Sequence, residues 1–371
     1  MGKNREAPDY ILLICTGLII LLGFAIFTSV SMAKIAATEE ALSRSDLFLF
    51  IIRQFVSGLF PGLLLALFLY KIPLEKIKKI APFLLLLNII LVGLVFVPGM
   101  GVTIRGARRW LQIGPISFQP SEFLKLTFVL YLASWLSSRD KLEKENIFSE
   151  TFIAFGAVCG LISGFIISQP DFSTLAVIIL TGFVMYSSYK APIKQIITIA
   201  AAGLFSVFGF IVLSPYRLKR VVDLLISGSD SQGLSYQAHQ ALISIGSGGL
   251  FGLGFGMSNQ KYGFIPFSMS DSIFAIYAEE AGFIGSLLLV SLFLVFFWRG
   301  IKLAKENKDS FFSLVATGIS FWIFFQAFVH IGSMAGILPI TGIPLPFISY
   351  GRAHLVTELS AFGILMNISK S

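Results

Sequence analysis

The sequence predicts an all-α integral membrane protein, a polytopic bundle of about ten transmembrane helices that forms a single domain over residues 1–371. Of the 371 residues, 56% are hydrophobic and only 13% are charged, about half the charged fraction of an average soluble domain. The apolar residues form continuous runs close to the ~20 residues that a helix needs to cross a bilayer. An outer-membrane barrel is excluded, because its strands alternate apolar and polar residues over about ten positions.

Ten apolar segments follow one another, and each is predicted to be a membrane-spanning helix. They lie near residues 10–31, 47–70, 80–97, 119–137, 151–168, 172–189, 194–214, 271–298, 310–332 and 345–368. The first run is longer than the apolar region of a signal peptide, so we expect an uncleaved span. Two connections are long, 98–118 and 215–270, and the second is a large extracytoplasmic loop before helix 8.

Basic residues orient the spans. The short connections assigned to the cytoplasm, together with both termini, hold 16 of the 28 lysines and arginines, as the positive-inside rule requires. Six of the other 12 lie in "RGARRW" (105–110) and "YRLKR" (216–220), on the outer side. There they would suit an anionic lipid head group, or serve only as solvated loop charge. Loop charge accounts for the net charge of +8, and no segment resembles a nucleic-acid-binding module.

Ionisable residues in or beside spans are candidate functional groups, because charge in hydrocarbon is costly. Glu122 and Lys125 are three residues apart and share a helix face, either as a structural ion pair or as the wall of a substrate cavity. Asp171 lies in the turn "QPDFST", where a following helix dipole favours an anion. A helix cap is the simpler interpretation for Asp171.

Asp271 begins the eighth span, and a helix N-cap is again the simpler interpretation. Glu279 lies about two turns deeper on a neighbouring face, so Asp271 and Glu279 could share a cavity. Glu280 points the opposite way and is expected to contact another helix.

Two further segments are unusual. "LPITGIPLPFISYGRAHLVTE" (338–358) interrupts its approach to the last span with prolines, which is tolerated where backbone is buried in protein or lines a cavity. "GSGGLFGLGFG" (246–256) lacks the Gly-Lys-Ser/Thr ending of a phosphate-binding loop, so we expect close packing or a re-entrant turn. The two cysteines and three histidines are scattered and indicate no metal site. A carboxylate base assisted by basic groups is the most economical enzymatic chemistry.

Six motifs occur in one order along the chain: "RGARRWLQIGPISFQPSEFLKL", "QPDFST", "YQAHQALISIGSGGLFGLGFG", "QKYGFIP", "SDSIFAIYAEEAGFIG" and "ITGIPLPFISYG". Together they resemble the SEDS family (shape, elongation, division and sporulation proteins) over nearly the whole chain. The sequences of residues 232–265 and of "TGIPLPFISYG" resemble the cell-division, FtsW-like branch more than the rod-elongation branch.

The resemblance implies a peptidoglycan glycosyltransferase in the bacterial cytoplasmic membrane. Such enzymes polymerise lipid II, a disaccharide-pentapeptide on undecaprenyl diphosphate, at the outer face, with a class B penicillin-binding protein and other division or elongation machinery as partners. The resemblance implies no definite cofactor; Mg²⁺ or Mn²⁺ could bridge the diphosphate. Two alternatives are a flippase for the same lipid and an inactive scaffold that binds the penicillin-binding protein.

The resemblance also assigns site residues. Asp271 matches the proposed catalytic aspartate, which takes the proton from the acceptor sugar's 4-hydroxyl. The implied substrate-binding residues are Arg105, Arg108, Arg109, Trp110, Gln119, Ser121, Glu122, Lys125, Asp171, Glu279, Ser349 and Tyr350. The chain departs from the family at Met269-Ser270-Asp271-Ser272, where His-Thr-Asp-Phe is common. It departs again at Arg352, where the family has a small residue; this arginine would fill part of the cavity or contact phosphate.

Overall fold

The computed structural model describes residues 8–36, 52, 54–104, 107–114, 116–139, 149–189, 191–212 and 234–370. Within them the chain forms eleven α-helices and three strands. The helices are α1 Tyr10–Ala36, α2 Phe60–Lys71, α3 Leu74–Leu94, α4 Pro120–Ser137, α5 Glu150–Ser168, α6 Phe172–Ser188, α7 Ile193–Val212, α8 Leu234–Ser247, α9 Ile273–Glu306, α10 Ser310–Met334 and α11 Arg352–Ile368.

A helix lies at each of the ten predicted spans, which confirms the predicted fold class. The described part of the second span begins with a π-helical turn, Phe55–Leu59, before α2, and its predicted start near residue 47 lies outside the described residues. Within the part of the chain that the structure describes, five helices, α1, α3, α5, α9 and α10, are long and apolar enough to cross a bilayer. The chain is a multi-pass membrane protein.

The local sequence explains several helix starts. Pro120 occupies the first turn of α4, where its missing N–H would have had no partner. Ser149 caps α5 by accepting from the Phe152 N–H at 3.2 Å. Asp309 caps α10 and accepts from the Phe311 N–H at 2.7 Å.

The connection 98–118, which the basic residues predict to face the outside, contains secondary structure that the sequence did not predict. An antiparallel sheet in the order β1-β2-β3 is formed by Gly101–Ile104, Ala107–Ile113 and Ile116–Phe118. Gly114, with φ +62°, lies in the tight turn between β2 and β3, a conformation that glycine adopts without strain. Arg108, Arg109 and Trp110 therefore sit on a strand that is paired on both sides.

The last span begins later than predicted. We expected it near residue 345, but α11 starts at Arg352. Pro344 and Pro346 lack the N–H groups that a helix ladder needs, and Phe347 has φ +63°, which interrupts helical geometry. The segment before α11 is therefore irregular backbone enclosed by the bundle.

The bundle packs around α4, whose buried face contacts α3, α6, α10 and α11. Helices α2 and α11 approach closely at Gly363, where an added methyl group would lie 2.4 Å from the Ala66 carbonyl oxygen. The long helix α9 packs between α1 and α10. These contacts fix the relative positions of the helix starts that form the site described below.

Helix α9 is broken at Gly282, which has φ +67° and ψ −167°. The glycine-rich segment 246–256 bonds to the backbone on both sides of this break. The Leu253 N–H donates to the Glu279 carbonyl at 3.0 Å, and the Phe283 N–H donates to the Gly249 carbonyl at 2.9 Å. The prediction of close packing for this segment is confirmed, and the paired backbone replaces the helical hydrogen bonds lost at the break.

We expect Gly282→Ala to destabilise the protein strongly. The backbone conformation alone would cost a non-glycine residue about 1–3 kcal/mol, and the new methyl group would lie 2.2 Å from the Gly252 nitrogen. Thermal unfolding in detergent measures the effect. Gly160→Ala is the matched control, because nothing lies within 4 Å of its added methyl group. Equal melting temperatures for the two variants would contradict this account of the break.

Candidate functional site

Asp171 is the centre of a polar cluster at one end of the bundle. Its Oδ2 accepts from Gln119 Nε2 at 3.1 Å and from Ser121 Oγ at 3.3 Å. Arg109 Nη1 lies 3.6 Å from Oδ1, and Arg109 also donates through Nε to the Gln169 carbonyl at 3.0 Å. Asp171 occupies the N-cap position of α6, but its side chain makes no capping bond. Asp171 therefore holds the predicted cap position, but its carboxylate joins α4 and β2 to α6 instead of bonding to the first turn of the helix.

Glu122 and Lys125 form the predicted ion pair, with Lys125 Nζ 2.7 Å from Glu122 Oε2. Both side chains are buried. The Lys125 ammonium also donates to Gln326 Oε1 at 2.9 Å and lies 5.2 Å from the centre of the Trp322 ring. This geometry confirms the structural ion pair, while contact with substrate stays a prediction.

Asp271 lies just before α9, half-buried, with its N–H bonded to the Phe267 carbonyl at 3.1 Å. The N-cap position belongs to the next residue, Ser272, so the interpretation of Asp271 as the N-cap was wrong. The carboxylate faces the irregular segment before α11. A methyl group added at Gly342 would lie 3.8 Å from Asp271 Oδ2.

Hydrogen bonds connect this segment to the two residues that precede Asp271. Ser349 Oγ donates to the Ser270 carbonyl at 2.7 Å, and the Tyr350 N–H donates to the Met269 carbonyl at 2.8 Å. The Tyr350 ring stacks on Phe27 of α1, with 5.7 Å between ring centres.

Two more contacts connect the Asp171 cluster and the sheet to the segment before α11 and to the start of α11. Ser173, in the first turn of α6, donates to the Thr341 carbonyl at 2.6 Å. Arg352 Nη2, at the start of α11, lies 3.2 Å from Ser117 Oγ of β3. The N-terminal ends of α4, α6, α9 and α11 therefore gather at one end of the bundle. Helix N-termini carry partial positive charge and favour bound anions.

Glu279 and Glu280 lie deeper in α9 and hold neighbouring segments. Glu279 accepts from Ser244 Oγ at 2.9 Å, from Ser258 Oγ at 2.5 Å and from the Asn259 N–H at 3.0 Å. Its carboxylate thus anchors the chain that precedes α9, and a role in substrate binding stays a prediction. Glu280 accepts from Ser29 of α1 at 2.5 Å, which confirms the expected contact with another helix.

The remaining predicted residues have separate positions. Arg108 donates through Nε to the Gly101 carbonyl and through Nη1 to the Phe96 carbonyl, both at 3.3 Å. Trp110 is half-buried on β2. Arg105 and the basic cluster at 216–220 lie outside the described residues. Among those that are described, no three His, Cys, Asp or Glu side chains gather as a metal-ion site, and the divalent cation stays a prediction.

Sequence reasoning missed two important partners. Gln326 bonds to Lys125, and a polar amide inside an apolar span was a signal that could have found it. Lys261 forms a buried ion pair with Glu280 at 2.8 Å. Lys261 lies in the long loop, so neither periodicity nor span counting distinguished it from solvated loop charge.

Lys261→Met is expected to lower the free energy of unfolding by about 3–5 kcal/mol, because it leaves Glu280 buried without its cation. The double variant Lys261→Met/Glu280→Met should recover most of the loss, since two apolar side chains replace the pair. Thermal unfolding of the purified protein measures both. Lys302→Met is the control: its pair with Glu306 is long, 3.9 Å, and exposed, so the change should be below about 1 kcal/mol.

A family model described as "FTSW_RODA_SPOVE: Cell cycle protein" matches residues 9–371. The chain belongs to this family of cell cycle proteins. Membership of the FtsW/RodA/SpoVE family confirms the resemblance that the ordered motifs indicated.

This member of the FtsW/RodA/SpoVE family aligns with curated relatives over almost its whole length. It is 36% identical to "Stage V sporulation protein E" of Bacillus subtilis, over 100% of this chain and 99% of the relative. It is also 36% identical to "Probable peptidoglycan glycosyltransferase FtsW" of Allochromatium vinosum, over 97% of this chain and 89% of the relative.

Solved structures share the fold. A chain from a study described as "Structural coordination of polymerization and crosslinking by a peptidoglycan synthase complex" aligns with a TM-score of 0.79 and 27% identity, covering 98% of both chains. The rod shape determining protein RodA of Thermus thermophilus aligns with a TM-score of 0.69 and 26% identity, over 99% of this chain and 98% of that one.

Proposed function

We propose that this protein is a peptidoglycan glycosyltransferase that polymerises lipid II at the outer face of the cytoplasmic membrane. The observation that carries the proposal is the position of Asp271, whose carboxylate faces the irregular segment before α11 at the end of the bundle where four helix N-termini gather. The names of the FtsW relatives support the reaction class.

The chemistry requires one base and a stabilised leaving group. Asp271 takes the proton from the 4-hydroxyl of the acceptor sugar as that oxygen attacks the anomeric carbon of the donor. The bond from the anomeric carbon to undecaprenyl diphosphate breaks, the diphosphate leaves with the bonding electrons, and the configuration inverts. The helix N-termini, Arg109 and Lys125 supply positive charge where the leaving group becomes more negative.

The orientation follows from the basic residues of the short connections. By the positive-inside rule they support cytoplasmic termini, which would put the start of α9 on the outside. A lipid-linked sugar in the outer leaflet would then reach Asp271 directly. The structural relative from a complex that coordinates polymerisation and crosslinking supports a class B penicillin-binding protein as the partner. A role in cell division is part of the proposal. The chain is 36% identical both to the sporulation relative and to the division relative.

The test is a polymerisation assay with purified components. The protein, with the penicillin-binding protein of its own organism, is incubated with labelled lipid II, and glycan chain length is read on a gel. Polymer formation supports the proposal. Transbilayer movement of lipid II without polymer would instead identify a flippase, and partner binding with neither activity would identify a scaffold.

A further inference from the structure

The segment 341–350, which faces Asp271, is held from inside the bundle by buried polar side chains. Four of them bond to its backbone at positions between Ile343 and Ser349. The contacts are His330 Nδ1 to the Ile343 carbonyl at 2.7 Å, Gln326 Nε2 to the Pro344 carbonyl at 3.0 Å, Glu358 Oε2 to the Phe347 N–H at 2.7 Å, and His354 Nε2 to the Ser349 carbonyl at 2.9 Å. Irregular backbone at membrane depth needs such partners, since water is absent there.

Glu358 makes the one contact of this set that involves a carboxylate. Its side chain is fully buried, and its two oxygens have separate partners: Oε2 accepts from the Phe347 N–H, and Oε1 accepts from Gln326 Nε2 at 3.1 Å. Phe347 has φ +63°, a strained conformation for a residue with a side chain. The short hydrogen bond from the Phe347 N–H to Glu358 Oε2, 2.7 Å, holds the chain in this conformation.

Gln326 joins Glu358 to the Lys125 ammonium. Its Oε1 accepts from Lys125 Nζ and from Trp322 Nε1, each at 2.9 Å. Its Nε2 donates to Glu358 and to the Pro344 carbonyl. Both ends of the amide are therefore occupied by partners of the correct kind, which fixes its orientation. Hydrogen bonds thus connect Lys125 to Gln326 and Gln326 to Glu358, and Glu358 accepts from both Gln326 and the Phe347 N–H.

The opposite side of the segment contacts the chain around Asp271. Ser349 and Tyr350 bond to the carbonyls of Ser270 and Met269, and Gly342 lies against the Asp271 carboxylate. The segment thus lies between the buried polar series and the proposed base.

We infer that Glu358 and Gln326 are positioning residues for the glycosyl transfer. They fix the segment 341–350, and the segment fixes the direction of the Asp271 carboxylate. The same two side chains connect this segment to Lys125, so the proposed base and the proposed diphosphate-binding cation are held as one unit. The expected fall in kcat rests on the proposed function. The expected loosening of the segment rests on the contacts alone.

Two variants of Glu358 test the inference. Glu358→Ala removes the acceptor for the Phe347 N–H. Glu358→Gln retains an acceptor but places an NH₂ group against that of Gln326, so its effect should be intermediate. Thr357→Val is the matched control: Thr357 is the neighbouring residue on α11, is equally buried, and its hydroxyl donates to the carbonyl of Ala353 in its own helix at 2.8 Å. Hydrogen exchange of the full-length protein, followed by mass spectrometry, and lipid II kinetics are the measurements.

We expect Glu358→Ala to speed exchange in peptides covering 341–350 and 267–272, with α10 unchanged. We also expect kcat to fall about 100-fold with little change in KM, because a displacement of about 1 Å at a reacting group has this effect. Unchanged exchange at 267–272, or a general loss of protection matched by Thr357→Val, would overturn the inference. If Glu358→Ala does not fold, Glu358→Gln decides by the same criteria.

The two proposals fail in different ways. If the parent protein makes no polymer, the glycosyltransferase proposal fails, and the exchange experiment still tests whether Glu358 holds the chain around Asp271. If the parent is active and Glu358→Gln matches it in both kcat and exchange, only the positioning role fails.

Discussion

Replacing Asp271 with asparagine is expected to lower the kcat of glycan polymerisation by about 10²–10⁴-fold, the usual contribution of a general base. Asparagine has nearly the same shape as aspartate but cannot take the proton from the acceptor hydroxyl. The chain around it is held by backbone bonds from Ser349 and Tyr350, which the substitution does not remove. Folding and binding of the partner should therefore persist.

Asp309→Asn is the matched control for this experiment. It makes the same chemical change at an exposed helix cap beyond the far end of α9, and asparagine caps helices about as well as aspartate. Both variants are assayed for polymer formation with the same partner protein and for thermal unfolding. If Asp271→Asn polymerises lipid II at the parental rate, Asp271 is not the base.

Lys125→Met is expected to reduce both stability and activity. It leaves Glu122 buried without a cation, which should lower the free energy of unfolding by about 3–5 kcal/mol. It also removes a donor from Gln326 and the positive charge proposed to stabilise the leaving diphosphate. Loss of one such stabilising group typically lowers kcat by about 10²–10³-fold.

A double variant separates the two effects. Glu122→Gln/Lys125→Met removes both charges, so thermal unfolding should return most of the way to that of the parent protein. Polymerisation should stay low, because no cation remains at that position. Parental activity in the stable double variant would mean that Lys125 is only a structural partner of Glu122.

Much of the site could be predicted from spacing along single helices. Glu122 and Lys125 are three residues apart, which predicts their contact without any knowledge of other helices. Asp171 was correctly placed at the start of a helix, but the contacts of its carboxylate were not predicted, because its partners Gln119, Ser121 and Arg109 come from elsewhere in the sequence. Asp271 was recognised by the order of the motifs around it, and only the structure shows that it faces Gly342.

Apolar run length and helix periodicity are local properties of the chain. They were therefore enough to predict the class of this protein, its succession of spans and the charged residues beside them. The break of α9 at Gly282, the sheet in the connection 98–118 and the contacts of Glu358 are visible only in the folded structure. Each of these depends on partners far apart in sequence: Gly252 against Gly282, β1 against β2 and β3, and Phe347 and Gln326 against Glu358. Buried backbone groups need hydrogen-bond partners. These partners come from distant parts of the chain, so the sequence of one segment does not identify them.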